Sequence, residues 1–534
     1  MTASARNTFK CTLGGLMKNL TLVGAVIVAW CASGGMLATR AQNVPAADID
    51  RSASLRFVWL AAPGGYDPAL SKNQFQDTPY MFPVYDGLVR LDAKGNVVPA
   101  LATSWTSSAD GKTLTFQVRP GVQFTDGSDV TAAVIAKNLN RTKKDPASLM
   151  SSQLRSFDSF EAPNATTVIA KLNAPDPNAI YALATSAGMV ASGKALDSGV
   201  NLSLTPVGSG PYKVVSSGPQ GATYERNEAY FDKSQNQFAK VTIAPIVEVT
   251  SRLNAVQTGQ ADAALLQADQ QSVARVDAMV KSGKFTAHKV LQPNNIPLWF
   301  NTKIKPFDNA KVRMAMTLAI DREGISQGIT NGECKPAGQP LPPGFTGHDD
   351  SLKAPAPNIA KAKQLLQEAG VGPFSFDALV STQEPVASVG LAIKAQLQAL
   401  GITMNIIPTP GSTLRPMFRA GNHGAMIMTV SAPSPDPATI IDGFFLSPDN
   451  PGGVSPEFAN AVAAARLKPL GSPDREVAYK AISRMAYDDP RQIYVCWNPI
   501  MVVARKGIVG IEQQAYLNAV PIPDIRTYGA LKGQ

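Results

Sequence analysis

Few residues in this chain could do covalent or metal chemistry, and they are scattered. Its three histidines, His288, His348 and His423, stand far apart, with no HExxH pattern and no Cys/His spacing that suits zinc. No Gly-x-Ser-x-Gly elbow presents a nucleophile. Gly188-Met189-Val190-Ala191-Ser192-Gly193-Lys194 fits the first seven positions of a phosphate-binding loop, but Ala195 stands where a Ser or Thr hydroxyl would hold Mg²⁺. No clear strand pattern leads into that stretch. These residues imply no catalytic set, no metal site and no cofactor, and they favour a reversible binder over the rival class, a secreted hydrolase acting on peptides or sugars.

A binder needs elements that carry a cleft, and the pattern of the chain supplies them. From Val84 to Arg141 it reads as strand, turn, strand and helix. Leu114, Phe116 and Val118 alternate with Thr113, Thr115 and Gln117, the period of a strand with one buried face. Asp110-Gly111, Pro120-Gly121 and Asp126-Gly127 are turn dipeptides. Thr131 offers an N-cap hydroxyl to a helix whose Val134, Ile135 and Leu139 share one face. Leu55 to Leu60 reads as the first strand of the mature fold, and Lys72 to Pro79 as polar and irregular. Farther on, Asp308 or Asn309 caps a helix with Val312, Met316 and Ala319 on one side, and Asn358 caps another that stops at Gly370. A third helix, about Val386 to Leu400, ends at Gly401 and feeds the alternating strand Ile402, Met404, Ile406. Ser472-Pro473 opens the last helix. Periodicity alone gives a mixed α/β chain.

The order of these segments resembles the family 5 solute-binding proteins of bacterial ABC importers, the dipeptide-, oligopeptide- and nickel-binding group. Tyr85-Asp86-Gly87-Leu88 stands where that family has "YEGL"; Pro99 to Trp105 matches its "P-x-LA-x-SW"; Asp110 to Gly127 matches its hairpin. Gly208 to Tyr212 matches "GTGPY", Tyr224 to Phe231 "LERNPNYW", and Pro306 to Arg322 "PF-D-VRVRQALNYAIDR". The resemblance covers nearly the whole mature chain. It implies an α/β, class II periplasmic binding protein fold, two lobes around a cleft with an extra domain in the first lobe. The division it implies is 42–78, 202–292 and 500–534 for lobe I, 79–201 for the extra domain and 293–499 for lobe II. It further implies capture of a peptide or related small organic solute and delivery to a membrane permease; a nickel, opine or sugar ligand is the alternative within the family.

Ligand contacts are placed by matching segments. Phe75, Gln76 and Asp77 match the first ligand-contacting loop. Asn294, Asn295 and Trp299 lie where the chain crosses into the second lobe. Val430, Ser431, Pro433 and Asp436 match a strand end that touches ligand backbone. In peptide-binding members this last segment reads "GW-x-x-D-x-x-DP", and its first Asp clamps the α-amino group of the peptide. Matched from Asp436-Pro437, that Asp falls on Pro433 and the Trp on Val430, so the carboxylate is missing. The resemblance therefore implies poor discrimination for a free N-terminal amine, a charge-assisted bond of roughly 1.5–3 kcal/mol being lost.

Composition sets the compartment. The 534 residues are 17% charged, below the usual share of about 25%, with 41 Pro and 42 Gly, as suits a loop-rich secreted protein. Met1 to Ala41 carries Arg6, Lys10, Lys18 and Arg40, no acidic residue, and the apolar run Thr21 to Ala38, the three-part pattern of a secretory signal. Trp30 before Cys31 is too bulky for a lipidation site. Cleavage after Ala41 leaves +5 of the formal +9 charge, too modest a balance to indicate nucleic acid. It also leaves two cysteines, Cys334 and Cys496, which can pair in an oxidising compartment or stay as buried thiols. The expected product is a monomeric periplasmic protein. Intact-mass analysis of exported material should give a chain beginning near Gln42; retention of Met1, or a lipid on Cys31, would contradict this.

Overall fold

A computed structural model describes residues 45–71, 74–93, 95–145, 148–267, 269–290, 294–431, 436–514 and 523–534. The export signal, Pro433 and most of the crossing from 291 to 293 lie outside the described residues. None of the helices among the described residues is long and apolar enough to cross a membrane.

Two seven-stranded sheets form the frame. In the first, Ser54–Trp59 runs parallel to Lys240–Pro245 and to Ala263–Gln267, and Ile500–Arg505 closes between Ala263–Gln267 and Phe285–Val290. Leu55, Phe57 and Trp59 enter one core, while Val58 enters another beneath the helices Val249–Gln257 and Gln270–Lys281. This is the period-2 alternation of a strand buried on both faces. In the second sheet, Asn294–Phe300 lies between Gln492–Trp497 and Ala425–Ile427 and also pairs with Val430–Ser431. The chain passes from the first sheet to the second between Val290 and Asn294 and returns between Trp497 and Ile500.

A four-stranded antiparallel sheet, ordered Ala102–Ser107, Thr113–Val118, Thr167–Leu172, Phe157–Asn164, packs against the helix Ala132–Lys144. Leu114, Phe116 and Val118 are buried, and the Thr131 hydroxyl accepts from the N–H of Val134 at 3.3 Å. Ile135 and Leu139 are fully buried. These side chains join Phe57 and Trp59 of the first sheet in one continuous core, so this small sheet and the first large one are packed as a single body.

Two expectations from sequence are revised or resolved, and one motif finds its physical reason. Lys72 to Pro79 is not irregular: Gln74–Met81 is helical despite Pro79, because Asp77, Thr78, Tyr80 and Met81 are all buried and tertiary packing outweighs local propensity. Gly208 and Gly210 are required for space and not for backbone angle: a Cβ at Gly208 would sit 2.1 Å from the Val84 carbonyl oxygen, and one at Gly210 2.5 Å from the Val84 carbonyl carbon. Finally, Cys334 and Cys496 are joined, with Cα atoms 5.4 Å apart across 162 residues of sequence. That bridge ties Lys335–Pro336 to its neighbour Gln492–Trp497. A cross-link closing so long a loop contributes about 2–4 kcal/mol. The Cys334→Ser, Cys496→Ser double variant should therefore unfold at clearly lower urea concentration; an unchanged midpoint would contradict the bridge's structural role.

Candidate functional site

The strand Asn294–Phe300 divides its side chains between two faces. Ile296, Leu298 and Phe300 enter the core that contains Val312, Met316 and Ile393. Trp299 lies in the opposite core with Val430, Phe444, Tyr494 and Trp497, and Asn295 shares its parity. Register then brings candidate residues together: Asn294 lies opposite Ser431, Asn295 opposite both Val430 and Trp497, and Trp299 opposite Met426 and Gln492. Five of the residues singled out from sequence, Asn294, Asn295, Trp299, Val430 and Ser431, thus occupy one patch of sheet at the point where the chain crosses.

Polar groups in this patch differ in how they are satisfied. Asn294 donates through Nδ2 to the Asn498 carbonyl at 3.0 Å, and the Asn498 N–H returns to the Asn294 carbonyl at 2.8 Å. Asn295 is fully buried, yet neither its Nδ2 nor its Oδ1 has a hydrogen-bond partner among the described residues. The indole N–H of Trp299, Oε1 of Gln492 and the hydroxyl of Tyr494 are likewise buried and unpartnered. Trp299 stacks on Phe444 with ring centres 5.6 Å apart, and Tyr494 meets the same ring edge-on at 5.8 Å. Burial holds the Tyr494 phenol well above its ordinary pKa, so it stays a neutral donor. Unpartnered buried amides are rare because each costs about 1–3 kcal/mol. Such a cluster, on a strand that enters from the crossing, is suited to receive polar atoms of a solute.

The other candidates are placed differently. Asp77 accepts from the Gly64 N–H at 2.6 Å and from the Ser71 hydroxyl at 2.7 Å, ordering the Pro63-Gly64-Gly65 turn within the first body. Gln76 is half-buried on the same helix, and Phe75 belongs to its first turn. The described contacts do not join this helix to the patch around Asn295. Asp436 is buried with both carboxylate oxygens on Nη2 of Arg475, at 2.8 and 2.9 Å, and it caps the helix Pro437–Ile441 through the Ala438 N–H. Burial raises its pKa and the guanidinium opposes the rise. Arg475 itself was not anticipated, although a charge on the stripe Arg475, Tyr479, Ile482, Ala486 of a helix is a readable sign of a buried ion pair.

The residues that might have signalled turnover have ordinary settings. His348 shares a hydrogen bond with the Leu341 carbonyl at 2.8 Å, and His288 lies 4.0 Å from Glu512. The stretch Gly188–Lys194 runs from the last residue of the turn Ser186–Gly188 into the helix Gly193–Asp197, which is capped by Ser192, whose hydroxyl also donates to Asp126 at 2.5 Å. Among the described residues no group of three His, Cys, Asp or Glu side chains is arranged to hold a metal ion.

A model of bacterial extracellular solute-binding proteins, family 5, matches residues 96–452. A glutathione-binding protein of Pectobacterium atrosepticum is 28% identical over 461 residues, 80% of this chain and 85% of that protein. A probable D,D-dipeptide-binding periplasmic protein of Escherichia coli is 24% identical over 492 residues, 88% of this chain and 93% of that one. The solved structure of the Helicobacter pylori periplasmic binding protein DppA, in complex with the peptide STSA, superposes with a TM-score of 0.75 at 21% identity, covering 90% of this chain and 98% of that one. The two-lobed α/β fold is therefore that of the type II periplasmic binding proteins.

The unequal satisfaction of the two neighbouring asparagines has a measurable consequence. Asn295→Leu should leave the free protein as stable as before, or more stable by about 1–2 kcal/mol, because no protein hydrogen bond is lost. Asn294→Leu should destabilise it by about 1 kcal/mol through the orphaned Asn498 carbonyl. Urea unfolding of the two variants side by side checks this, and a larger loss at Asn295 would contradict the assignment.

Proposed function

This chain belongs to the bacterial extracellular solute-binding proteins of family 5, the solute-capturing components of ABC importers, and on that premise we propose that its solute is a short peptide or peptide-derived molecule. The solute is held between the lobes, with polar atoms against Asn295, Trp299 and the Val430–Ser431 strand, and with Phe75, Gln76 and Asp77 facing from the first lobe. The relatives named for glutathione and D,D-dipeptides support a ligand of this size and polarity. In the same reading residues 1–41 are removed on export, the mature monomer works in the periplasm without chemical turnover, and a membrane permease receives the solute. The domain division given from sequence is supported by the two crossings, between Val290 and Asn294 and between Trp497 and Ile500.

One observation carries the solute class: the segment 430–436 offers no carboxylate to an incoming amine. Pro433 stands where the peptide-binding members have an Asp, and Asp436 is bound by Arg475 and by the cap of its own helix. A buried carboxylate so engaged can turn to a solute amine only by leaving a guanidinium unpaired. The expected solute is therefore one whose N terminus is blocked, modified or left unread.

A thermal-shift screen with free dipeptides, their N-acetylated forms and glutathione tests this, since a ligand at about 100 times its Kd adds about 2.7 kcal/mol of stability. Free and acetylated forms should bind within about threefold of each other. A preference for the free amine of about ten- to a hundredfold would show that an amine clamp exists. Mass spectrometry of the recovered ligand should find it unchanged; turnover that follows the protein through purification would overturn the binder reading.

A further inference from the structure

One buried side chain spans the seam between the small sheet's body and the second lobe. Arg475, 1% exposed, sits in the first turn of the helix Pro473–Asp488. Its Nη1 donates to the carbonyls of Ala465, Arg466 and Lys468 at 3.1, 2.9 and 2.8 Å, fastening the end of the helix Pro456–Arg466. Its Nη2 holds both oxygens of Asp436 and also reaches Asn178 Oδ1 at 3.0 Å, 297 residues away in sequence. Asn178 lies just before the short helix Ala179–Ala182, in the body that shares its core with the first sheet. Of these bonds only the one to Asn178 leaves the second lobe.

The seam around that bond mixes charged and polar groups with small apolar side chains. A cavity of about 270 Å³ lies against it, with Arg155, Asp176 and Tyr181 on one wall and Thr439, Asp442 and Arg466 on the other. Asp442 is paired with Arg466, and Asp176 accepts from the Ser156 hydroxyl at 2.6 Å. Walls of mixed character, whose apolar part is mostly the small side chains of Ala179, Ala182 and Ala438, can part and take up water at modest cost, as a reversible contact between moving bodies requires.

We propose that Arg475 is a positioning residue that couples solute capture to lobe closure, gripping the end of the solute-contacting segment through Asp436 and completing its guanidinium contacts on Asn178 only when the lobes meet. This rests on the solute-capture reading above. When the lobes part, Arg475 keeps Asp436 and its three carbonyls, while Asn178 turns to water. The bond to Asn178 therefore belongs to one state alone, and an interaction of that kind shifts the balance between two states. Because the same guanidinium orients Asp436, whatever steadies the 430–436 segment also steadies the donor that Asn178 needs, and the coupling runs both ways.

The test uses the full mature chain with Leu204→Cys and Leu391→Cys as exposed label sites, the native cysteines being bridged. The label-to-label distance distribution is measured without ligand and with glutathione, in the parent and in the Asn178→Ala and Asn178→Ser variants. Loss of a hydrogen bond to a charged donor should lower the closed-to-open ratio about tenfold or more in both variants. The Kd for glutathione should rise by no more than that factor, mainly through faster dissociation. A merely structural Asn178 would move the unfolding midpoint and leave the distance distribution alone. If the parent closes and both variants close equally, the coupling is wrong. A parent whose labels never move, with glutathione or with any peptide of the screen, defeats the solute-capture reading and this proposal with it.

Discussion

Everything in this molecule that moves or binds depends on the place where two strands cross between the sheets. There the Asn498 N–H meets the Asn294 carbonyl and the Asn294 amide returns to the Asn498 carbonyl. The two passages of the chain are thus tied to each other at the edge of the second sheet. Lys289, on the last strand of the first sheet, pairs with Glu333, next to Cys334, at 2.5 Å. Cys334 is bridged to Cys496, two residues before Asn498. The second-lobe side of the crossing is therefore covalently braced. A hinge confined to a few linking residues lets two rigid sheets rotate without repacking either core.

Buried arginines perform the corresponding task inside each body. Arg313 donates to the carbonyls of Phe307, Asp308 and Pro490, and Arg322 to those of Thr317, Ile320, Pro355 and Tyr494. Arg526 holds Asp524 through two bonds at 2.6 and 2.7 Å, approaches Asp86 at 3.5 Å and lies over the Phe82 ring. Asp86 also accepts from the Tyr230 hydroxyl at 3.1 Å, and burial raises its pKa against the pull of Arg526. A planar guanidinium with five donors can collect carbonyls from loops that have no ladder of their own. This is how a chain with 41 prolines and 42 glycines buries so much irregular backbone. The Tyr85-Asp86-Gly87-Leu88 motif thus serves the fold: Asp86 anchors the C-terminal segment, and a Cβ on Gly87 would lie 2.7 Å from the Leu183 carbonyl oxygen.

Local features were legible in the sequence because local physics sets them. Thr131, Asn309, Asn358 and Ser472 all cap the helices they precede, and Gly401 takes the left-handed conformation, with φ 73°, that ends its helix. Register across Asn294–Phe300 and Val430–Ser431 was reachable only through the family pattern, since nothing in either strand alone names its partner. What stayed hidden was long-range. Asp67, just after the first strand, holds Arg141 through one bond at 2.9 Å and another at 2.5 Å, 74 residues on. The pairing of Cys334 with Cys496 and the engagement of Asp436 by Arg475 are of the same kind, because spacing in sequence carries no distance in space. Five of the residues singled out from sequence share one patch of sheet, but which polar groups there are already satisfied could not be read from sequence.

That distinction sets how such a protein can work. One hydrogen bond to a charged donor biases two states by roughly 1.5–3 kcal/mol at most, whereas moving a two-state balance from mostly open to mostly closed takes about 5.5 kcal/mol. The Arg475–Asn178 bond cannot close the lobes unaided. In the proposed reading the remainder comes from Asn295, Trp299, Gln492 and Tyr494, buried groups with polar atoms that find no partner among the described residues. Were they satisfied internally, a solute would have to break existing bonds to enter and would gain little by closure. Were the seam stronger or apolar, the lobes would shut on nothing. In the proposed reading a weak seam and an under-satisfied patch together make closure conditional on the solute, and a receptor that must both capture and release needs that condition.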